Sequence, residues 1–507
     1  MRGKMVVKRV LPIRISSKYR ARVRSFIYDV AHFQNLLRIF ILEWVRKTDD
    51  IFRLFNQSLL YSLLVNKIRS NKSEWQRKEL EEVRSIIEGD EELKGWIEKL
   101  KAQKEKVWNA VVCLGIIIQE VNNLKSWIKA LQEYKRNPEK FKGKPSLPKP
   151  WKLKNLVRFS VVVPHINEGR RLFLKLKIGE EPLKVLLPEG FSYKVKEVRL
   201  VYDMDWIEVH VVYEREICVS IIGVYQAGID IGLDNLFSVV SDNPELRSFI
   251  ISGKELKSYN RWWNKKVAEI RSHMDRILNM IKEERDEEKR KTLEKHYLWL
   301  RRYLWNLYKA RERKLDTWIH QITRRLADLL YETGHRVVYI GKNAIDKNGI
   351  SFSRVVNQNY VYIPHRKFVN RLKYKCEELG IHVVEVDERY TSKASPISDD
   401  VVEIQAKKVN GEEFQFSGKR VKRGLYKDLK LNKVFNADLV GGLNILKVGA
   451  KLRRLLLDLK TLFIKLCNPV KFGMWDWIYK SNPKSLFMQA GIGASKPVIG
   501  QEASAPV

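Results

Sequence analysis

Gly228-Ile-Asp-Ile-Gly-Leu-Asp-Asn235 is the stretch of this sequence that decides its fold. The chain runs into it through Val224–Leu233, turns at Asp234-Asn235 and leaves as Leu236–Val240, which predicts a β-hairpin. Period-2 alternation places Asp230 on the face that also carries two glycines, Gly228 and Gly232. Glycine inside a strand indicates a close approach by a ligand or by another backbone, so we expect a metal ion or a phosphate beside Asp230.

Two other interpretations of this motif stay open. An acid near the turn of an ordinary hairpin gives the same pattern. The Asp-x-Gly pattern is also found at the start of the phosphate-binding site of sugar-kinase and actin-like ATPases. However, this sequence has no recognisable second phosphate motif of that class.

A second acidic segment follows a helix that is predicted to end near Gly380, where glycine is favoured just past the last turn. His382–Tyr390 reads as a strand, and alternation puts Val384, Val386 and Glu388 on one face. An acid at the end of an apolar face is costly unless it is paired or bound to metal, which favours Glu388 as a ligand. The alternative is a salt bridge from Glu388 to Arg389 or to a lysine.

A third acid opens a helix, with Asn436 as its N-cap and Asp438 in its first turn. The helix dipole alone would explain an acid there. However, Gly441 and Gly442 lie three and four residues further on, on the same helical face. Two glycines destabilise a helix, and close packing of this face against the sheet is a physical reason to tolerate them. Such packing would bring Asp438 towards Asp230.

Three acids of this kind suit the hydrolysis of a phosphodiester. That reaction uses two divalent cations about 4 Å apart, one activating water and one stabilising the leaving oxygen. Hard cations such as Mg²⁺ or Mn²⁺ prefer oxygen ligands and need no histidine or thiol. We therefore expect two Mg²⁺ or Mn²⁺ ions held by Asp230, Glu388 and Asp438.

Composition favours a nucleic-acid partner. The 507 residues carry 96 basic and 60 acidic side chains, a formal net charge of +36. Basic surface neutralises phosphates and releases counterions. A lysine-rich thermophilic surface would usually be balanced by glutamate. No run approaches the ~20 apolar residues of a membrane span and the first residues form no secretory core, so the expectation is a cytoplasmic, nucleoid-associated protein without a membrane partner.

The chain alternates between β-rich and helical regions. We predict an α+β multidomain protein in which a β-barrel domain receives an inserted helical lobe and is followed by an α/β domain with its own helical insertion. The predicted bounds are 1–16 with 136–222 for the barrel, 17–135 for the lobe, 223–467 for the α/β domain with its insertion at 255–335, and 468–507 for a C-terminal tail that is expected to be irregular after Lys480.

These residues resemble the TnpB family of insertion-sequence-encoded, RNA-guided nucleases. The matching stretches, in order, are LPKPWKLK (147–154), GIDIGLDN (228–235), LKSYNRWWNKK (256–266), YIPHRKFVNRLKYKCEELGI (362–381), DERYTSKAS (387–395), FSGKRVKRGLYK (416–427) and NADLVGGLNIL (436–446). The resemblance implies an RNase H-like, RuvC-type nuclease domain in the second half. It also implies a wedge and a recognition lobe that hold guide RNA and a short duplex motif beside the target.

The sequence departs from the commoner family pattern in two ways. After the strand Arg336–Ile340, where many members carry the second catalytic glutamate, this chain has Gly341. Some members are similar to this one in carrying the glutamate just ahead of the Tyr-Thr-Ser-Lys segment, which gives Glu388. Many relatives also have two Cys-x-x-Cys knuckles between the second and third acids, whereas residues 391–435 contain no cysteine, so no zinc is expected.

Clusters of basic residues are candidates for contact with the phosphate backbone. Solvated surface charge is the alternative for each of them individually. In the helical insertion and in the FSGKRVKRGLYK segment, the candidates are Lys265, Lys266, Arg301, Arg302, Lys419, Arg420, Lys422 and Arg423. Tryptophans at helical spacing in the insertion could stack on bases, but core anchoring is the more usual role.

The resemblance implies an RNA-guided DNA endonuclease of a transposable element that cleaves double-stranded DNA next to a short motif. Its guide RNA would derive from the element end, and pairing with the guide would supply sequence choice. Asp230 would bridge the metals, Glu388 would hold the ion that activates water, and Asp438 would complete the leaving-group side. The alternative from another class is a guided DNA-binding repressor that has lost cleavage, which Gly341 motivates. The oligomeric state is not indicated by the sequence.

Overall fold

The computed structural model describes residues 2–48, 50, 53, 56–65, 74–107, 109–150, 158–176, 182–203, 206–220, 223–342, 364–409, 414–422, 424–451, 457–479 and 486. The chain divides into two compact units. One comprises Val6–Ile217, and the other comprises Met1–Met5 with Cys218–Val507. Part of LPKPWKLK, the start of YIPHRKFVNRLKYKCEELGI, Arg423 and almost all of the predicted tail after Lys480 lie outside the described residues.

The unit Val6–Ile217 combines a helical bundle with antiparallel sheets. Its elements are β1 (Arg2–Arg14), α1 (Ser17–Thr48), α2 (Gln57–Leu63), α3 (Glu74–Glu88), α4 (Glu91–Val107), α5 (Ala110–Arg136), a 3₁₀ turn at Pro138–Lys140, β2 (Arg158–Val163), β3 (His165–Glu168), β4 (Arg171–Leu174), β5 (Leu183–Leu186), β6 (Lys194–Asp203) and β7 (Trp206–Ser220). The strands form a four-stranded sheet of order β1-β7-β6-β2 and a three-stranded sheet of order β3-β4-β5. Closure of these strands into a barrel stays a prediction.

The predicted helical lobe at 17–135 begins with α1, whose residues Phe33, Leu36, Leu37 and Phe40 are all buried in one core. That core continues into the sheets through alternating residues such as Val161, whose neighbours in β2 are exposed. The apolar faces of the helices, which repeat about every 3.6 residues, and those of the strands, which repeat every two residues, thus pack into one core.

The unit that contains Cys218–Val507 is built on one six-stranded sheet. Its elements are β8 (Tyr225–Asp230), β9 (Asn235–Ser241), β10 (Phe249–Ser252), α6 (Lys254–Glu283), α7 (Glu287–Glu332), β11 (His335–Gly341), α8 (His365–Glu378), β12 (His382–Val386), α9 (Val401–Val409), β13 (Gly418–Lys422), β14 (Leu425–Asp428), β15 (Lys433–Asn436), α10 (Ala437–Ala450), α11 (Leu459–Cys467), β16 (Val470–Phe472) and α12 (Met474–Tyr479). The sheet order is β12-β11-β8-β9-β10-β16, and β13-β14-β15 form a separate antiparallel sheet.

The predicted hairpin around Asp230 is confirmed as β8 and β9, with Asp230 opposite Ser238. β8, β9 and β10 are antiparallel neighbours, whereas β11 pairs parallel with both β8 and β12. The carboxyl ends of β8, β11 and β12 therefore reach the same edge of the sheet, where Asp230 and Gly341 are terminal residues.

Helices cover both faces of this sheet. One face packs on α7 and α8 through residues such as Leu326 and Phe368, and the strands contribute Ala227 and Ile229 to that core. The other face packs on α10. The mixed α+β class is thereby confirmed. No helix within the described ranges is both long enough and apolar enough to cross a membrane.

The contact between α10 and β8 depends on glycines. A β-carbon built on Gly228 would overlap the carbonyl oxygen of Gly442 and would lie 2.7 Å from the Leu446 amide nitrogen. A β-carbon on Gly442 would lie 3.2 Å from the carbonyl oxygen of Ser238 in β9. Because the opposing atoms are backbone, they cannot turn aside as a side chain would. The close packing predicted from the two helical glycines is present.

We expect Gly228→Ala to destabilise this unit by about 1–3 kcal/mol, since the added methyl group forces helix and strand apart. Thermal unfolding and hydrogen exchange of the β8 amides would measure the effect. Gly115→Ala is the control, because a β-carbon there meets nothing within 4 Å and alanine favours a helix. A Gly228→Ala variant as stable as the parent would contradict this account of the contact.

Candidate active site

Asp230 is the last residue of β8 and is partly buried beneath α10. A β-carbon on Gly441 would stand 2.7 Å from Asp230 Oδ2 and 3.3 Å from its Cγ. The backbone of α10 at Gly441 therefore lies next to the Asp230 carboxylate, with no side chain between them. Any larger residue at 441 would press on the acid itself.

Glu388 lies beyond the end of its strand, which corrects the sequence interpretation. β12 ends at Val386 rather than continuing to Tyr390, and Val384 is exposed, so no continuous apolar face leads to the acid. Tyr390 has a positive φ of 66°, which marks a tight turn directly after Glu388. The glutamate is thus presented by a turn at the edge of the sheet.

The Glu388 side chain occupies the space beside Gly341. A β-carbon built on Gly341 would overlap Glu388 Oε2 and would lie 3.2 Å from Ile445 Cδ1 of α10. The position where many relatives carry a glutamate is therefore filled, in this chain, by a carboxylate that arrives from another segment. Absence of a side chain at 341 is the condition for this arrangement.

Arg389, the neighbour that could have paired with Glu388, is engaged elsewhere. Its Nε lies 2.7 Å from Asp387 Oδ2, and its backbone N–H donates to Asp387 Oδ1 at 3.0 Å. The Arg389 salt bridge considered from the sequence therefore forms with the adjacent aspartate.

Asp438 stands in the first turn of α10, as predicted. The Asn436 side chain caps the helix by accepting from the N–H groups of Asp438 and Leu439. Asn235 Nδ2, from the start of β9, donates to Asp438 Oδ2 at 2.6 Å. Sequence reasoning missed this role of Asn235, because the two residues are 203 positions apart.

The three acids interact electrostatically. The pKa of Asp230 is raised to about 7, first by burial and then by the negative charges of Asp438 and Glu388. The Arg420 guanidinium acts in the opposite direction, lowering the pKa of Asp230, and lies 4.0 Å from Asp438 Oδ1. A carboxyl flanked by two others is unfavourable to ionise unless a cation compensates for the charge.

Geometry alone does not define a metal site: within the described ranges, no group of three or more His, Cys, Asp and Glu side chains is arranged to hold an ion. The fit to a divalent cation is instead one of donor chemistry and charge. Three carboxylates supply only hard oxygen atoms, and burial together with repulsion from the other two raises the pKa of Asp230. This donor set suits Mg²⁺ or Mn²⁺.

The basic candidates fall on two elements. Lys419, Arg420 and Lys422 are exposed on β13, in the small sheet that leads into α10, and Arg420 reaches the acids. The other four described candidates lie on the helical insertion: Lys265 and Lys266 on α6, and Arg301 and Arg302 on α7. Lys266 pairs with Glu269 at 3.2 Å.

The tryptophans of the insertion divide between two environments. Trp263 and Trp318 are buried, as core anchors are. Trp262 and Trp299 are 53% and 58% exposed, and Trp299 stacks on Tyr303 with ring centroids 5.7 Å apart. Trp305 is intermediate in burial, so among the described tryptophans of the insertion Trp262 and Trp299 expose the most ring surface for stacking on bases.

Among solved structures, the chain resembles a Cas12f1–sgRNA–target DNA complex, with a TM-score of 0.40 and 14% identity over 87% of this chain and 98% of the other. A CRISPR–Cas12f ternary complex matches with a TM-score of 0.29 and 15% identity over 85% of each chain. These scores are too low to establish a shared fold.

Sequence comparisons are more specific. Residues 222–346 match the family model described as a probable transposase, OrfB_IS605, and residues 365–445 match the Cas12f1-like TNB domain. The TnpB-like protein ORF457 of Acidianus two-tailed virus is 30% identical over 224 residues, which is 44% of this chain. The matched stretch spans about two fifths of that relative's length, 41%. The OrfB_IS605 match covers the segment that carries Asp230, the TNB-domain match covers those that carry Glu388 and Asp438, and over these segments the chain is similar to TnpB-type proteins.

Proposed function

We propose that this protein is an RNA-guided DNA endonuclease of a transposable element, which cleaves double-stranded DNA by metal-dependent hydrolysis. The observation that carries the proposal is the juxtaposition of Asp230 with Asp438 and Glu388, whose charges add to the effect of burial in raising the pKa of Asp230. Such a concentration of acids in a chain of net charge +36 has no evident purpose in stability. It does suit the binding of cations at a phosphodiester.

Two bound Mg²⁺ or Mn²⁺ ions would supply an activated water and stabilise the leaving oxygen. The protein's part is to hold the three carboxylates at the edge of the sheet. Asn235 fixes Asp438 by donating to Oδ2, which leaves Oδ1 on the side of Arg420. Arg420 supplies positive charge next to the acids, where a substrate phosphate would need it.

The nucleic-acid partners are proposed from the family and the charge. The exposed residues Lys419 and Lys422 extend the positive surface along β13 from Arg420. A central sheet with a β8-β9-β10 meander and parallel β11 and β12 is compatible with the RNase H-like domain that the resemblance implies. Guide RNA derived from the element end would select the target strand.

The second candidate is an RNA-guided DNA-binding repressor without nuclease activity. The glycine at position 341 motivates it. The side chain of Glu388 beside Gly341 opposes it, because the carboxylate that this position lacks is replaced from the neighbouring segment.

We expect the protein, purified with its co-purifying RNA, to linearise a plasmid that carries the matching target in Mg²⁺, and Asp230→Asn to abolish this cleavage. The reason is the loss of the central charged ligand. Product formation on agarose gels measures it. Asp242→Asn is the matched control: Asp242 directly follows β9 and is partly buried, as Asp230 is, it accepts a hydrogen bond from the Gln226 N–H at 2.6 Å, and cleavage should persist.

If parent and Asp230→Asn both bind the target and neither cuts, the repressor interpretation replaces the nuclease. Sequencing of the bound nucleic acid checks the guide: a discrete small RNA is expected, and random cellular RNA would contradict guided function.

A swap of the second acid tests whether Glu388 acts in place of a residue at 341. Glu388→Ala should lower the cleavage rate on the order of 100-fold, since a lost metal ligand raises the barrier by several kcal/mol. Adding Gly341→Glu to Glu388→Ala should raise the cleavage rate at least about tenfold above that of Glu388→Ala alone, because the space beside Gly341 is then empty. Gly341→Glu alone should be impaired by overlap with Glu388.

Glu385→Ala is the control for the swap, since Glu385 lies three residues earlier and pairs with Arg366 at 2.7 Å. It should cleave as the parent does. A Glu388→Ala variant with unchanged activity would show that this acid is not part of the site.

The raised pKa of Asp230 predicts a pH dependence. Only the carboxylate binds metal, so Mn²⁺ affinity should increase about tenfold from pH 6 to pH 8 if the group titrates near 7. The stability of the metal-free protein should change in the opposite direction and decrease as the pH rises. A folded-state pKa above the ordinary value near 4 stabilises the metal-free protein at low pH, and this contribution is lost as pH rises towards 7. Calorimetric Mn²⁺ titration and thermal unfolding at both pH values measure the two effects, and both should disappear in Asp230→Asn.

A further inference from the structure

The segment that carries Glu388 is fastened to α10 through a buried asparagine. Asn444 is fully buried, and its Nδ2 donates to the carbonyl oxygens of Thr391 and Ala394, at 2.8 Å in each case. Its Oδ1 has no hydrogen-bond partner among the described residues. A single side-chain amide thus uses both of its donors on the turn that follows the glutamate.

Thr391 transmits this restraint to Glu388. The Thr391 hydroxyl donates to the Glu388 carbonyl oxygen at 2.8 Å, and the Thr391 N–H donates to the same oxygen at 3.2 Å. The turn itself is closed by the Ala394 N–H on the Tyr390 carbonyl at 2.9 Å. The backbone of the glutamate is therefore held by two donors from one residue, and that residue is held by Asn444.

Asn444 belongs to the helix that positions the other acids. Asp438 lies two turns earlier on α10, Gly441 lies against Asp230 between them, and Ile445 approaches Gly341 at the edge occupied by Glu388. Successive turns of one rigid helix thus contact the surroundings of all three carboxylates. Without Asn444, Glu388 would depend on a turn outside the sheet for its place.

We propose that Asn444 is a positioning residue that sets the distance of Glu388 from Asp230 and Asp438, and thereby the metal affinity of the site. The proposal rests on the proposed function of the three acids, and it adds a residue outside them that acts through Thr391. Partners of this kind, behind the ligands themselves, typically change metal affinity or activity 10- to 100-fold when removed.

The test compares Asn444→Ala with Asn243→Ala. Both are buried asparagines in the same unit whose Nδ2 donates to backbone carbonyls, and Asn243 donates to Thr333 at 3.1 Å at a different place in the sheet. Both variants should lose some thermal stability. In Asn444→Ala alone, the Mg²⁺ concentration for half-maximal cleavage should rise about tenfold, with high Mg²⁺ recovering part of the rate and the KM for DNA unchanged.

Thr391→Val provides a second variant if Asn444→Ala folds poorly, since it removes only a hydroxyl and keeps the side-chain shape. It should shift the Mg²⁺ midpoint in the same direction by a smaller factor. Equal Mg²⁺ midpoints for the parent, Asn444→Ala and Thr391→Val would overturn the proposal, as would an equal shift in Asn243→Ala.

Mn²⁺ titration by calorimetry separates this inference from the proposed function. If the parent does not cleave DNA but binds Mn²⁺, and Asn444→Ala binds it about tenfold more weakly, the positioning role stands while the nuclease assignment fails. Equal Mn²⁺ affinities, or no Mn²⁺ binding by the parent, overturn the positioning role.

Discussion

The contact between the backbones of β8 and α10 is the constraint on which the rest of the site depends. A glycine on each side, Gly228 and Gly442, lets the helix approach the strand more closely than any side chain would permit. That distance places the first turn of α10 over the end of β8. Glycine costs helix stability, and this helix accepts the cost twice in adjacent positions because the packing energy of its apolar residues offsets it.

Close approach has an electrostatic consequence. Burial of Asp230, together with the nearby charges of Asp438 and Glu388, raises the pKa of Asp230 to about 7, so the cation-free site carries this proton in part of the molecules at neutral pH. Arg420 relieves only part of this repulsion. If cations bind these acids, as the proposed function requires, their binding would displace the proton from Asp230 and would thus be coupled to proton loss.

The sequence predicted the local features of the site and missed the long-range ones. The hairpin at Asp230, the N-cap at Asn436 and the reason for two helical glycines all follow from patterns within a few residues. The strand ahead of Glu388 was predicted too long, because the apolar alternation of β12 continues to Val386 and nothing local announces the turn at Tyr390.

Hydrogen bonds between distant segments could not be predicted from the sequence, for a different reason. Asn444 and Thr391 are 53 residues apart, and neither has a local pattern that distinguishes a buried donor from a surface amide. The residue that occupies the space beside Gly341 likewise could not be predicted, since the sequence shows only that position 341 has no side chain. The tertiary contact shows that the Glu388 side chain occupies that space.

Asn436 ends β15 and also caps α10, so no residue separates the small basic sheet from this helix. β13 pairs with β14, and β14 pairs with β15, which leads directly into the first turn of α10. The cationic side chains of β13 and the acid Asp438 therefore belong to one continuous framework. Under the proposed function, an anion bound to that strand would be held in a fixed position relative to the acid.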